Sequence, residues 1–257
     1  MIDLARRRYR DILASVYIYN EHRGYSSLDR VLEAVRARHP DETDFIAAVE
    51  KHREDERHHY LMFRHYFEAL GAMPYRVDRT CGHIDRLIKL CFGCGIDELD
   101  TNAVAGSGTL FAKLCRVIML TEMRGMRQVD ILLSSPLIAS DRSLLKIFRV
   151  IERDEPSHWM PYHQWIEHHS EPMPSLAERF SDFLVHRTLL LVKLPLLFLN
   201  PWLERRADWQ DAAERQPSGG GADEQGAGEQ GNDQPARAGD VPSGMPGPAI
   251  AAAQHTR

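Results

Sequence analysis

The 257-residue sequence has only four cysteines, no apolar run long enough to span a membrane, and no glycine motif of the kind that binds a nucleotide or a flavin. Four cysteines in a chain of this length do not build a disulfide framework. A spanning helix needs about 20 apolar residues, so a polytopic membrane protein is excluded. Since a net charge of −5 provides no basic surface for a phosphate backbone, we expect no nucleic-acid partner.

A secretory signal is also lacking, because residues 1–6 include no apolar segment behind a positive one. The expected location is therefore the cytoplasm, where cysteines stay reduced. Cys91 and Cys94 form a single Cys-x-x-Cys, whereas a rubredoxin-like iron site would need two such pairs. Ordinary thiols are favoured over a metal or redox function for these two residues.

Apolar residues that recur every three or four positions predict helix through most of residues 3–168. Four long helices are expected, at residues 3–38, 42–70, 104–133 and 141–168. Short connections within the first two and within the last two imply antiparallel neighbours. Residues 71–100 form a long crossover that should contain a short helix near residues 84–92. The sequence thus predicts an all-α protein made of two helical hairpins joined by a crossover.

Three regions follow from composition. Residues 1–170 contain the helical hairpins. Residues 171–215 form an apolar helical segment that Lys193 and Pro195 interrupt, so it is too short to span a bilayer. This segment either covers an end of the helices or a homodimer interface, or it contacts an anionic membrane surface peripherally through flanking cations. Residues 216–257 are rich in Gly, Pro and polar residues and lack aromatics, which predicts a disordered tail.

Two of the predicted helices carry Glu-x-x-His on the face that is otherwise apolar. The pairs are Glu56 with His59, and Glu155 with His158. Residues three apart lie about one turn apart on a helix, so a carboxylate and an imidazole can approach one metal ion together. A charged group on a buried face is costly unless it is paired or binds a metal. Either pair alone is weak evidence for a metal site, and the presence of two pairs strengthens it.

The other two long helices each place one glutamate on the apolar face, Glu21 and Glu122. In an antiparallel hairpin, residues equally far from the turn lie at the same height. The midpoint between Glu21 and the first pair falls near residue 39, and the midpoint between Glu122 and the second pair falls near residue 139. Both midpoints are predicted turns, so each hairpin should bring a glutamate level with a Glu-x-x-His.

The charge of this centre indicates what it binds. Four buried carboxylates without counter-ions would shift their pKa values or unfold the core, whereas two divalent cations would neutralise four negative charges. Imidazoles combined with carboxylates suit iron or manganese, and open positions would allow dioxygen to bind. The alternative is a metal-free helical protein whose polar centre is a salt-bridge network.

The pattern resembles the ferritin-like di-iron carboxylate superfamily, in which four helices with one long crossover carry one Glu, one Glu-x-x-His, one Glu and one Glu-x-x-His. The resemblance covers residues 10–168 and implies an antiparallel four-helix bundle. It also implies that Glu56, together with Glu122 or Glu155, bridges the metals, and that the glutamates are the catalytic carboxylates. The implied ligands are Glu21, Glu56, His59, Glu122, Glu155 and His158.

The repeated pair motif is more similar to the oxygenase, oxidase, rubrerythrin and bacterioferritin branches than to storage ferritins. In many di-iron oxygenases an aspartate precedes each pair, as Asp55 and Asp154 do here. Such an aspartate can accept a hydrogen bond from a ligating imidazole. Many members have arginine directly before the histidine, where this chain has His58 and Ser157, so the subfamily stays open.

Two further features lie next to the pairs. His52, one turn before Glu56, is expected to support the ligands or the core rather than to bind metal itself. Pro156 and Pro161 lie within the fourth predicted helix, where each removes a backbone hydrogen bond and forces a kink or bulge. Helical irregularity is common beside functional sites, although Pro156 could simply tilt the helix.

The function implied is a dinuclear non-haem iron oxidoreductase of the oxygenase or hydroxylase type, with two Fe ions or a manganese–iron pair, that uses O2 to oxidise an organic substrate. Electrons would come from an external reductase, since the sequence has no flavin or nucleotide motif. The apolar segment after Pro174 favours a lipophilic substrate. The alternatives are a ferroxidase for iron storage or detoxification, of bacterioferritin or rubrerythrin type, and a metal-free helical interaction module.

Overall fold

The structure is a computed structural model that describes residues 2–212. Every regular element in this part of the chain is helical, and its one β pairing is an isolated antiparallel bridge between Tyr75 and Arg205. The prediction of an all-α protein is confirmed. The predicted disordered tail, residues 216–257, lies outside the described residues.

The helices are numbered in chain order. They are α1 Ile2–Arg38, α2 Thr43–Ala69, α3 His83–Phe92, α4 Thr101–Gly106, α5 Gly108–Leu133, α6 Pro136–Ala139, α7 Arg142–Asp154, α8 Pro156–His168, α9 Leu176–Thr188 and α10 Leu194–Leu199. Two 3₁₀ turns, Arg79–Cys81 and Ile96–Glu98, flank α3, and a π-turn, Leu189–Lys193, joins α9 to α10.

The third and fourth predicted helices are each divided in two. Ser107 separates α4 from α5, and its hydroxyl accepts a hydrogen bond from the Leu110 N–H, which makes it an N-cap that starts a new helix. Glu155 separates α7 from α8, because Pro156 has no N–H to donate to the preceding turn. The prediction of a continuous helix at Ser107 is therefore wrong. At Glu155 the chain has the irregularity that Pro156 is expected to force, in the form of a break between two helices.

Two other helix ends follow sequence signals. α2 ends before Gly71, whose φ of +60° lies in the left-handed region that glycine adopts without steric cost. The Ala72 N–H then donates to the Phe67 carbonyl at 3.1 Å, which closes the helix end. At the start of α7, the Asp141 carboxylate accepts hydrogen bonds from two backbone N–H groups of the first turn.

Packing of the long helices positions the site. α1 packs along α2, α5 packs along α7 and α8, and α2 contacts α7 and α8. Two apolar cores lie on either side of a polar layer at mid-length. Representative members are Leu28, Val49, Ile118 and Trp165 of one core, and Leu13, Phe63, Val129 and Phe148 of the other.

The apolar segment after α8 lies against these helices, with α9 on α3 and α5 and with α10 on α1. Pro195 accounts for the π-turn, because it cannot donate a backbone hydrogen bond and the Leu194 N–H reaches back to the Leu189 carbonyl instead. Phe180, Leu191 and other large apolar residues of this segment stay exposed. Within residues 2–212, no helix combines the length and the hydropathy that crossing a bilayer would require.

Candidate metal centre

The six ligand residues implied by the family resemblance lie in the polar layer. Four of the long helices supply five of them, and the break between α7 and α8 supplies Glu155. His59 and His158 have no exposed surface, and three of the glutamates are at most 7% exposed. Glu122 is half-buried. Because each helix passes from one apolar core to the other at this level, the carboxylates are held away from bulk water.

Six side chains form two donor groups that share Glu56. The first group is Glu21, Glu56 and His59, and the second is His52, Glu56, Glu122 and His158. Within each group, one possible ligand atom from every residue lies within 4.8 Å of the others. Glu56 therefore has the position that a bridging carboxylate would need. His52 lies closer to the carboxylates than a purely supporting residue requires, and its Nε2 is 3.8 Å from both Glu56 and Glu122.

Glu155 lies beside the second group without belonging to it. Its Oε2 is 4.0 Å from the Nδ1 of His158 and is buried without a hydrogen-bond partner. Gly125 of α5 faces its other oxygen. Of the six implied ligands, Glu155 is the one that the structure leaves outside both groups, although it is within reach of them.

Each of the two ligand histidines forms a hydrogen bond with the aspartate that precedes the other Glu-x-x-His motif. His59 Nε2 donates to Asp154 and His158 Nε2 donates to Asp55, both at 3.3 Å. An ionised carboxylate can only accept, so Nε2 of each ring carries a proton and Nδ1 faces the glutamates. The sequence predicted aspartate–imidazole bonds, but not that each aspartate would serve the histidine of the other motif.

Several buried atoms in this centre lack a hydrogen-bond partner. They are His52 Nε2, His59 Nδ1, His158 Nδ1 and Glu155 Oε2. His59 Nδ1 lies 3.3 Å from Glu21, but the contact does not have hydrogen-bond geometry. A buried polar group without a partner costs about 1–3 kcal/mol, a cost that a bound cation would remove for a ligand atom. Four of them in one carboxylate-rich centre fit a pair of metal cations.

Burial controls the protonation of the glutamates. It raises the pKa of Glu21 and of Glu122 to about 8. Burial first, and then a neighbouring glutamate, also raises the pKa values of Glu56 and Glu155. At His158, burial disfavours the charged ring, but contacts with Asp55 and Glu56 outweigh it and hold the pKa well above its usual range. Without a metal, the centre thus retains protons that a cation would displace.

We expect the metal-free protein to lose stability as the pH rises from about 6.5 to about 8. The pKa values of Glu21 and Glu122 are near 4.5 when unfolded and about 8 when folded, so the folded state binds more protons throughout this window. The raised pKa of His158 acts in the same direction. Thermal unfolding in chelator across this range measures the effect, and Glu21→Gln combined with Glu122→Gln should flatten it. A midpoint that rises with pH would contradict the expectation.

Asp55→Ala and Asp154→Ala are each expected to weaken metal binding by about 10- to 100-fold, because the opposite imidazole loses the acceptor that orients it. Metal titration of each variant measures the change. Glu54→Ala, an exposed neighbour on α2, is the matched control and should bind metal like the wild type. Wild-type affinity in both aspartate variants would show that the crossed bonds do not support a metal.

Two glycines complete the centre, and the sequence analysis gave neither a role. Gly24 and Gly125 each lie three residues after a site glutamate, within a repeated Glu-x-Arg-Gly. A Cβ on Gly24 would lie 2.2 Å from Glu56 Oε2, and one on Gly125 would lie 3.1 Å from Glu155 Oε1. Glycine in a helix interior costs roughly 0.5–1 kcal/mol relative to alanine. Its repetition three residues after each of two buried glutamates therefore indicated that a side chain is excluded at these positions.

Cys91 and Cys94 are half-buried free thiols at the end of α3, and neither belongs to a donor group in residues 2–212. A third donor group, His39, Glu42 and His169, lies apart from the centre, and both of its imidazoles contact the Glu42 carboxylate. No family model, no curated protein and no solved structure matches the chain. The chemistry of the centre is therefore inferred from its own residues and geometry.

Proposed function

We propose that this chain is a dinuclear metal oxidoreductase of the ferritin-like superfamily, which uses O2 to oxidise an organic substrate. In this proposal α1, α2, α5 and the α7–α8 pair form an antiparallel four-helix bundle with residues 71–100 as the crossover. The observation that carries the proposal is the pair of donor groups that share Glu56, with inward-facing nitrogens that have no hydrogen-bond partner.

The donor set favours two iron ions, or manganese and iron. Glu21, Glu56 and His59 would hold one metal, and Glu56, Glu122 and His158 the other, with Glu155 and His52 within reach. Carboxylate oxygens with one or two imidazoles per metal are typical of iron and manganese sites with open positions. When bound, two such ions supply electrons to O2 and act as Lewis acids.

The protein's own residues keep this centre in one geometry. Asp55 and Asp154 fix the orientation of the imidazoles, and Gly24 and Gly125 leave room for the carboxylates. The apolar cores above and below give the centre a surrounding of low dielectric constant, which strengthens electrostatic interactions within it. Electrons from an external reductase are part of the proposal.

The experiment is metal analysis of protein purified from iron-supplemented cells, together with absorption spectra after anaerobic reduction and exposure to O2. We expect about two iron ions per chain and a transient oxygen-dependent band. Absence of stoichiometric metal would overturn the proposal in favour of a metal-free interaction module. A large hollow assembly in light scattering would instead favour ferroxidase and storage chemistry.

The exposed apolar residues of α9, the π-turn and α10 suggest a peripheral contact between a cytoplasmic protein and an anionic membrane. Exposed side chains include Phe180, Phe183, Leu191, Leu196 and Leu199. Arg187 and Lys193 on the same segment would attract anionic lipid headgroups. Co-sedimentation with anionic vesicles tests this contact, and a lack of binding would remove it. A homodimer through the same face would appear as a doubled mass in light scattering.

A further inference from the structure

A cavity of about 240 Å³ reaches the donor groups from the side of α1 and α5. The four site glutamates line it, whereas none of the site histidines does. Gly24 and Gly125 also line it, and a side chain at either position would narrow the passage between the cavity and the carboxylates. The face of the centre that is open to a small molecule is therefore the carboxylate face.

Beyond the glutamates the wall of this inner cavity is mostly apolar. It includes Leu13, Val16 and Leu28 of α1, Ile118 and Leu132 of α5, and Leu189 of the π-turn. Pockets for drug-sized ligands have volumes of roughly 300–1,000 Å³, so the inner cavity fits an alkyl chain or a small ring system. No lysine or arginine lines it, so its wall offers an anionic group no cationic partner.

A second pocket of about 370 Å³ adjoins the first, and Gln128, Ile131 and His186 line both. Ile131 is 67% exposed, which places the shared region at the surface. The outer pocket differs from the inner cavity in its cations, because three arginines and one acid line it. These residues are Arg124, Arg127, Arg179 and Asp182.

Arg124 provides an observation that itself points to a ligand. The residue is 5% exposed, and its Nε donates to Asp182 of α9 at 2.5 Å. Its two terminal nitrogens are buried and have no hydrogen-bond partner. A guanidinium with both terminal nitrogens unpaired offers the fork that binds a carboxylate through two parallel hydrogen bonds.

We propose that the two pockets together bind an organic acid with an apolar body, its carboxylate on Arg124 and its apolar body in the inner cavity beside the glutamates. The lining of the two pockets fixes this orientation, since the arginines lie in the outer pocket and the wall of the inner cavity is mostly apolar. The inference that this acid is the substrate rests on the proposed function. The inference that the acid binds here does not depend on that function.

Calorimetric titration with decanoate, below its micelle concentration, tests the site in metal-loaded and in chelator-treated protein. We expect one decanoate per chain, with 1-decanol and decyltrimethylammonium about 10- to 100-fold weaker because they lack the oxyanion. Octanoate should bind more weakly than decanoate, by about fourfold for each methylene removed. Affinity that does not depend on chain length, or tighter binding of decyl phosphate than of decanoate, would overturn the assignment.

Two variants are expected to change decanoate affinity in opposite directions, and they separate a role of Arg124 in binding from a role in stability. Arg124→Gln should reduce decanoate affinity about 10- to 100-fold, whereas Asp182→Asn frees the guanidinium and should increase it. Both changes break the same ion pair between α5 and α9, so a purely structural role would move both in the same direction and overturn the proposal. Arg149→Gln, on the exposed side of α7, is the matched control.

The outcomes also separate this inference from the proposed function. Decanoate binding in a protein that takes up no stoichiometric metal would support the acid site and overturn the dinuclear oxidoreductase. Two metals per chain without decanoate binding would support the oxidoreductase and overturn the acid site.

Discussion

His158→Ala is expected to lose at least one metal ion per chain and to weaken binding of any remaining ion. The imidazole lies 3.3 Å from Glu56, the residue common to both donor groups, and its own Nε2 is anchored by Asp55. Removing the ring therefore takes away one ligand and loosens the shared carboxylate. Metal content after equilibrium dialysis measures the loss, and Glu122→Ala should give a similar result.

His163→Ala is the control for this experiment. His163 lies on the same helix, and its contacts are with Glu167 and the ring of Trp159 rather than with the centre. Circular dichroism of each variant separates loss of metal from loss of fold. Full occupancy of both positions in His158→Ala or in Glu122→Ala would mean that the ligand assignment is wrong.

Gly24→Ala is expected to abolish binding of both metals while the helices stay folded. A Cβ would stand 2.2 Å from Glu56 Oε2, a separation that no pair of non-bonded atoms tolerates, so the Glu56 side chain must rotate away. Glu56 serves both donor groups, and its displacement disrupts both at once. Alanine is a better helix former than glycine by up to about 1 kcal/mol, so α1 itself is not weakened.

Alanine substitutions at two other glycines provide comparisons for Gly24→Ala. Gly125→Ala should have a smaller effect, because its Cβ would meet Glu155 at 3.1 Å and Glu155 lies outside both donor groups. Gly106→Ala, where a Cβ would meet nothing within 4 Å, is the control and should bind metal like the wild type. Equal occupancy in Gly24→Ala and Gly106→Ala would contradict the expected displacement of Glu56 from both donor groups.

Sequence periodicity was sufficient for the helical content and for several helix ends, because both depend on neighbours within one or two turns. Gly71 and Asp141 act at the ends where their side-chain chemistry indicates. The break at Ser107 was missed because a continuous apolar face outweighed a local cap, whereas the break at Glu155 lies where Pro156 was expected to disturb the helix. Propensity and periodicity conflict at such positions, and the backbone hydrogen bonds decide.

The sequence was sufficient to predict which residues form the candidate site, because these residues lie on buried helix faces and at equal distances from the turns. The crossed aspartate bonds were not anticipated, since they depend on how α2 and α8 meet, and residues 59 and 154 are 95 positions apart. The unpaired nitrogens of Arg124 could not be read from the sequence either, because they depend on the position of α9 relative to α5. Distances between helices are properties of packing, and no local pattern encodes them.

The crossed aspartate–histidine hydrogen bonds also determine when the donor groups can be completed during synthesis. At roughly 5–20 residues per second, the 95 residues between His59 and Asp154 take about 5–20 s to translate. Throughout that interval the first hairpin carries Glu21, Glu56 and His59 without the acceptor that orients the ring. A nascent chain would thus hold a stray metal ion only weakly, and full affinity would arise once α7 and α8 have docked on α2.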